Sequence, residues 1–392
     1  MRRLATEWDE LADSAVVPNP YFSRRVVEGH VAGGVLDAGA LRFVVLRDGA
    51  DLVGLLPFQR RAGRCGWKRI DSACASPFMM LSAPLIARLP GGGAAAIDWA
   101  DLLLDAIADH ARGEPFMLPR LSLDCALGSE IVKALRRRDW PFRVFDAFER
   151  PVADLAETYE DYARAFIGRN RRKSIRRLRN RLAGTGVLRH EVATHGPALA
   201  AAADTFLALE AGGWKGRAGT ALACRSETER MLRAMIEDDV VDATAPSGGS
   251  RGASRGAGMR ADLLLLDERP IAASIGFVGG GVAHMWKIAD DETMRSHGPG
   301  IVLEDAILRQ AHLDDGIRRL DSAAGPGSAL ETLYGGRTRI GDLVFVPTAR
   351  GGFQALLATD EVRRRLRGLL KSLRNALWPR PRRGAPARAS RR

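Results

Sequence analysis

The alternation of apolar and polar positions is most regular between Ala261 and Ser322. Three short apolar runs, Leu263–Leu266, Ile271–Val278 and Val282–Ala289, are separated by Asp267-Glu268-Arg269-Pro270 and by Gly279-Gly280-Gly281. Runs of this length between turn residues predict a β-meander. After Arg295-Ser296-His297-Gly298-Pro299-Gly300, Leu303, Ile307 and Ala311 recur at four-residue intervals with Ala306 on the same face, which predicts a helix. Pro299 suits its first turn, where a missing N–H costs nothing.

The preceding chain reads less regularly. Residues 1–40 are helical in pattern, with Trp8 and Leu11 near the start, a break at Pro18-Asn19-Pro20 and a second helical run from Tyr21 towards Gly33-Gly34. Leu41–Arg47, the Asp48-Gly49 turn and Leu52–Arg60 predict a hairpin. Residues 98–111 predict a helix, Phe116–Leu123 a strand, Ser129–Arg138 a helix and Pro141–Phe148 a strand. The stretches VVLRDGADLVGLLPFQ and LLLDERPIAASIGFVG share one plan, a strand, a charged turn and a second strand. We read them as a faint duplication of one α/β unit. The first copy would span 1–150 and the second 151–346, with 347–392 outside both. No Gly-x-Gly turn opens a helix in the first copy, and Gly91-Gly92-Gly93 reads as a loop. Any site built on such a turn belongs to the second copy.

Charge changes this picture in two places. Residues 361–392 hold twelve Lys/Arg and a single acid, nearly all of the net +12. Phe353–Leu377 reads as a basic amphipathic helix followed by a disordered end, able to dock on the body, lie on an anionic membrane or polysaccharide, or bind a partner. Within the body, the element Tyr162–Leu182 carries eight Lys/Arg and no acid between Arg169 and Arg181. It is a solvated helix face, a contact for an anionic partner, or a wall beside cofactor phosphates. Pro246–Met259 is a low-complexity insertion that reads as a loop. Four scattered cysteines without metal-site spacing point to reduced thiols and no metal. Neither a leader-like nor a membrane-length apolar run is present, so the expected location is the cytoplasm, with the inner-membrane surface open to the basic tail.

Two stretches carry candidate chemistry. Arg295-x-x-Gly298-x-Gly300 between an antiparallel strand and a helix offers backbone N–H groups and the positive end of a helix dipole, a place for a pyrophosphate. Upstream, a helical run ends at Gly212-Gly213 and is followed by Trp214-Lys215-Gly216-Arg217. Either Trp214 plugs a domain edge with Lys215 solvated, or Glu210, Trp214 and Lys215 line an acceptor cleft.

The arginine-rich helix, Glu210-x-x-x-Trp214-Lys215-Gly216-Arg217, the meander and the Gly298-Pro299-Gly300 helix entry occur in that order. Together they resemble the CelD-like (BioF-type) branch of the GNAT acetyltransferases, related to the Fem aminoacyltransferases, over roughly residues 150–345. The resemblance implies a tandem GNAT-like α/β architecture of mixed, mostly antiparallel sheets flanked by helices. It implies transfer of an acetyl or other acyl group from acyl-coenzyme A to an amine of a small-molecule or saccharide acceptor, in an exopolysaccharide or cellulose setting. Donor binding falls on Trp286, Lys287, Ile288, Arg295, His297, Gly298, Gly300 and Ile301, and acceptor binding on Trp214 and Lys215. Glu210, His284 and Asp290 are the candidate bases and Tyr334 the candidate acid. The family tends towards a Tyr-Lys pair where this chain has Tyr334-Gly335. Two rival readings remain: a Fem-like transferase using aminoacyl-tRNA, the one case in which nucleic acid is a partner, and a non-catalytic polysaccharide-assembly or membrane-associated protein.

Overall fold

A computed structural model describes residues 4–62, 69–88, 94–242 and 258–347. The Gly91–Gly93 run, the insertion up to residue 257 and the whole segment from 348, with its expected helix at 353–377, lie outside the described residues.

The first half opens with α1 (Ala5–Ser14), which buries Trp8 and Leu11, and a 3-10 turn at Pro20–Phe22. The Asn19 side chain accepts the Tyr21 N–H (3.1 Å) and so starts that turn. Then follow α2 (Arg24–Ala32), β1 (Arg42–Asp48), β2 (Asp51–Ala62), β3 (Arg69–Ala73) and β4 (Leu85–Ile86). The half continues through α3 (Ala94–Ala111), β5 (Phe116–Ser122), α4 (Ala126–Arg137) and β6 (Phe142–Asp154). The second half runs α5 (Tyr159–Phe166), α6 (Arg169–Ala183), β7 (Leu188–Ala193), α7 (Gly196–Gly212), α8 (Trp214–Arg217) and α9 (Ser226–Asp242). It ends with β8 (Gly258–Leu266), β9 (Arg269–Gly279), β10 (Val282–Asp290), α10 (Pro299–Ala311), β11 (Arg319–Asp321) and β12 (Gly336–Phe345).

All strands join one mixed sheet, β1-β2-β3-β5-β12-β6-β11-β10-β9-β8-β7, with β4 beside β2. The two halves repeat a plan. The β1–β2 hairpin is followed by β3, α3 and a parallel β5, just as the β8–β9 hairpin is followed by β10, α10 and a parallel β11. The final strands are exchanged. β6 of the first half pairs with β11 of the second, and β12 of the second pairs with β5 of the first, while β6 and β12 pair with each other at the centre. Residue 150, expected as the boundary between the copies, lies inside β6.

Strand alternation sends successive side chains to opposite faces. On one face of the second half, Ala272, Ala283 and Met285 meet Val302, Leu303 and Ile307 of α10, and Ile175 and Leu182 of α6. On the other, Ala273, Ile275, Phe277 and Trp286 meet Leu199, Phe206 and Leu207 of α7 in a core continuous with the first half. Two expectations change. The basic element at 162–182 is two helices, because Ile167 is extended (φ −100°, ψ 114°) before Gly168. The strand expected from Leu263 begins at Gly258, because its charges are hidden: Arg260 donates twice to Asp262 (2.8 Å each), which also faces His190 (2.9 Å). No helix among the described residues is long and apolar enough to cross a membrane.

Candidate functional site

The sheet opens at β10. Parallel pairing with β11 covers only Val282–His284, so Met285–Asp290 present an edge that β11 does not cover. Against β9 the register slips between His284 and Lys287, a bulge at Met285-Trp286 that re-aims the strand where the opening begins. Gly276 permits this, since a Cβ there would stand 2.2 Å from the His284 carbonyl oxygen.

The chain leaves β10 through a 3-10 segment, Glu292–His297, and enters α10 at Gly298, which is left-handed (φ 58°, ψ 51°). No side chain caps this helix and its first turn carries no acid. Pro299 has no N–H, and the N–H groups of Gly300 and Ile301 precede the first bond of the helix, from Val302 to the Gly298 carbonyl (3.2 Å). Packing gives no reason for glycine at 300: a Cβ would meet Asp290 at 3.6 Å, an ordinary contact. Its absence leaves the approach to those donors clear. Arg295 is exposed, and His297, half-buried, faces the Ser296 hydroxyl through Nδ1 (3.1 Å). Burial, reinforced by Glu292 and Asp291, raises the Asp290 carboxyl against Arg295.

On the α7 face, Glu210 is 2 % exposed. Its Oε1 accepts from Lys215 Nζ (3.1 Å) and Lys287 Nζ (3.2 Å), and its Oε2 from the Leu222 N–H (2.8 Å). Burial alone would raise this carboxyl, but the Leu222 N–H and the two ammonium groups outweigh it and hold it below the usual range. The surroundings are those of an ion-pair anchor. Lys215 also donates to the Ile288 carbonyl (3.1 Å), tying α8 to β10. Trp214 is 60 % exposed, and its backbone N–H donates to the Glu292 carboxylate (2.7 Å) just ahead of the α10 turn. Burial pulls Lys287 below the ordinary lysine value in spite of Glu210.

The first half reaches into this place. The segment 74–82 is held by Arg120, which donates to Ser76 (2.8 Å) and Met79 carbonyls, and by Arg150, which donates to that of Met80 (2.8 Å). It sets Phe78 against Trp286, whose Nε1 donates to the Phe78 carbonyl (2.9 Å), with the Lys287 ammonium 5.6 Å from the Phe78 ring. Sequence reading missed this segment. A Ser-Pro turn between apolar residues was its only signal.

His284 and Tyr334 stand apart from that cluster. His284 is buried against Tyr21, its Nδ1 4.0 Å from Asp321, and burial pulls it down to about 4. Tyr334 is buried on the α10 face, and desolvation raises its hydroxyl well above normal, with Glu304 adding to the effect. Glu304 is itself pushed up to about 8 by burial and Asp262. At Gly335 a Cβ would stand 2.4 Å from the Phe166 ring, which fills the space a lysine would need.

Residues 169–329 match the acetyltransferase (GNAT) domain. Two solved structures are similar over nearly the whole chain. FemX is 10 % identical, with a TM-score of 0.52 over 87 % of this chain and 95 % of that one. A conserved protein of unknown function from Bacteroides thetaiotaomicron VPI-5482 is 10 % identical, with a TM-score of 0.51 over 88 % and 97 %. At such identity the likeness is one of fold alone; the GNAT match in the second half and the repeated strand plan make the architecture tandem GNAT-like α/β. No curated protein matches the chain.

Proposed function

We propose that this protein transfers an acyl group from acyl-coenzyme A to an amine, with the donor along the open edge of β10 and its pyrophosphate on the Gly298–Gly300 turn. The observation that carries this reading is the opening of β10 from β11 after His284, directly ahead of an uncapped glycine helix entry. Coenzyme A would supply the activated thioester. The chain's own groups supply the rest: Gly300 and Ile301 N–H for phosphate, and backbone along Trp286–Ile288 for the arm and carbonyl. In this reading the Lys287 ammonium, anchored by Glu210, stabilises negative charge on the departing sulfur, protonates it, and takes back the proton that the attacking amine gives up as the amide forms. In this reading Glu210 positions Lys287, and the acceptor brings its amine in beside Phe78, Lys215 and Trp214. An exposed indole suits stacking on a sugar ring, which favours a saccharide amine and the exopolysaccharide setting that the CelD-like resemblance implies.

Free-thiol release from acetyl-coenzyme A, measured with a panel of amino sugars and small amines, tests the reading. Amine-dependent release is expected, with Lys287→Met lowering kcat at least about tenfold while donor binding persists. Donor binding without amine-dependent release for any acceptor would favour the non-catalytic alternative.

A further inference from the structure

A groove of about 750 Å³ opens between α5, α6 and α10. Arg169, Arg172, Lys173, Arg176 and Arg179 line it, at positions i, i+3, i+4, i+7 and i+10 of one helix. They therefore form a single stripe about 15 Å long, while Leu178 and Leu182 turn towards the body and the buried Ile175 contributes to the groove's floor. Arg164 and Arg309 add positive charge from the neighbouring helices. The two acids in the lining are already engaged. Asp305 accepts from the Tyr159 hydroxyl (2.5 Å) and from Arg309 (2.9 Å), and Glu160 lies 3.8 Å from Arg309.

Among the described residues, none of the eight Lys/Arg of α6 makes an ion pair, and the Nε groups of Arg171 and Arg172 are buried without a hydrogen-bond partner. Arginines elsewhere in the chain readily pair, as Arg138 does with Asp101 and Asp105. Like charges three and four apart weaken a helix, so this stripe calls for an anion from outside. The start of α6 adds to it. Gly168 provides no side-chain cap, the first turn carries no acid, and a Cβ at 168 would meet nothing within 4 Å. Its first N–H groups therefore have no side-chain cap.

We propose that this groove binds a small ligand bearing two or three linked phosphates, a nucleoside polyphosphate or inorganic polyphosphate, at a site separate from the acyl-donor turn. The volume lies within the range of small-ligand pockets, and the stripe is too long for one phosphate. Separation follows from α10. The groove lies over Asp305 and Arg309, further along the helix, whereas the Gly298–Gly300 turn is not part of its lining and is packed by Leu178 of α6, 3.1 Å from where a Gly298 Cβ would be.

The test is calorimetric titration of the full chain with inorganic tripolyphosphate, a nucleoside triphosphate and a single-stranded RNA, at about 150 mM salt. The wild type should bind tripolyphosphate or the nucleotide saturably at one site. Arg172→Gln/Arg176→Gln should weaken that binding at least about tenfold, and Gly300→Glu should leave it unchanged. Tighter binding of the nucleotide would assign the ligand to that class, and equal binding to the phosphate chain itself. Acetyl-coenzyme A should stabilise the double variant as it does the wild type, which also reports that the variant is folded. Four results would overturn the proposal: no saturable binding of either small ligand, binding of RNA alone, unchanged affinity in the double variant, or loss of acetyl-coenzyme A binding in that variant. The last would make the groove part of the donor site. Failure of the acyltransfer reading would leave the tripolyphosphate result standing.

Discussion

At the scale of residues, two buried carboxyls behave in opposite ways. Glu210 is anchored by two ammonium groups and a backbone N–H, and its depressed pKa means that its contribution to stability is present above the ordinary value of 4.5 and is lost as the pH falls through the lower folded value. Removing it strands two lysines. Glu210→Ala should cost about 3 kcal/mol, measured by urea unfolding at neutral pH. Glu304 is the reverse case. Its pKa rises from 4.5 to about 8, so the folded protein holds the proton that the unfolded chain releases. Its contribution is intact below about pH 4.5 and fades as the pH rises towards 8. The melting temperature of Glu304→Gln should therefore gain on that of the wild type between pH 5 and 8. A difference that does not vary with pH would contradict the assigned burial. Lys287 shows what a sequence conceals at this scale. One lysine in VAHMWKIAD gives no sign that its partner is Glu210, 77 positions earlier.

At the scale of elements, the two glycines of the α10 entry do different work. Gly298 is left-handed and crowded by Leu178, so Gly298→Ala should destabilise by about 1–2 kcal/mol. Gly300 is helical with room for a Cβ, so Gly300→Ala should be neutral or stabilise by up to about 1 kcal/mol. Thermal unfolding of the pair distinguishes them, and equal losses would mean that both glycines are structural. These elements were the most legible part of the sequence. Short apolar runs between Gly, Pro and Asp marked β8–β10, and a four-residue repeat marked α10 at its observed start. The limits of β8 were not legible, because the Arg260–Asp262 pair places charges inside a buried strand, and hydropathy alone cannot see the pairing.

At the scale of the whole molecule, the duplication suggested by two similar hairpins has a counterpart in the fold, but its closure could not be read from sequence. Exchange of β6 and β12 depends on pairing between strands nearly two hundred residues apart, and local patterns carry no record of it. Its consequence is physical interdependence. A fragment of residues 151–347 would lose most of β6 and all of β5, leaving both long edges of β12 without partners. It should be unfolded or aggregated, whereas the full chain should unfold in one transition. Circular dichroism and sedimentation of the fragment check this, and a monomeric fragment with native strand content would contradict it.

The most direct test of the acyl-donor site is thermal unfolding with and without acetyl-coenzyme A, in the wild type and in Gly300→Glu. A Cβ at 300 makes only an ordinary contact with Asp290, and an acid in the first turn of a helix is itself favourable, so the variant should fold while its carboxylate takes the place of the pyrophosphate. A ligand at a hundred times its Kd should stabilise the wild type by about 2.7 kcal/mol and the variant by far less. An unshifted wild type, or equal shifts in both proteins, would contradict a donor site at the start of α10.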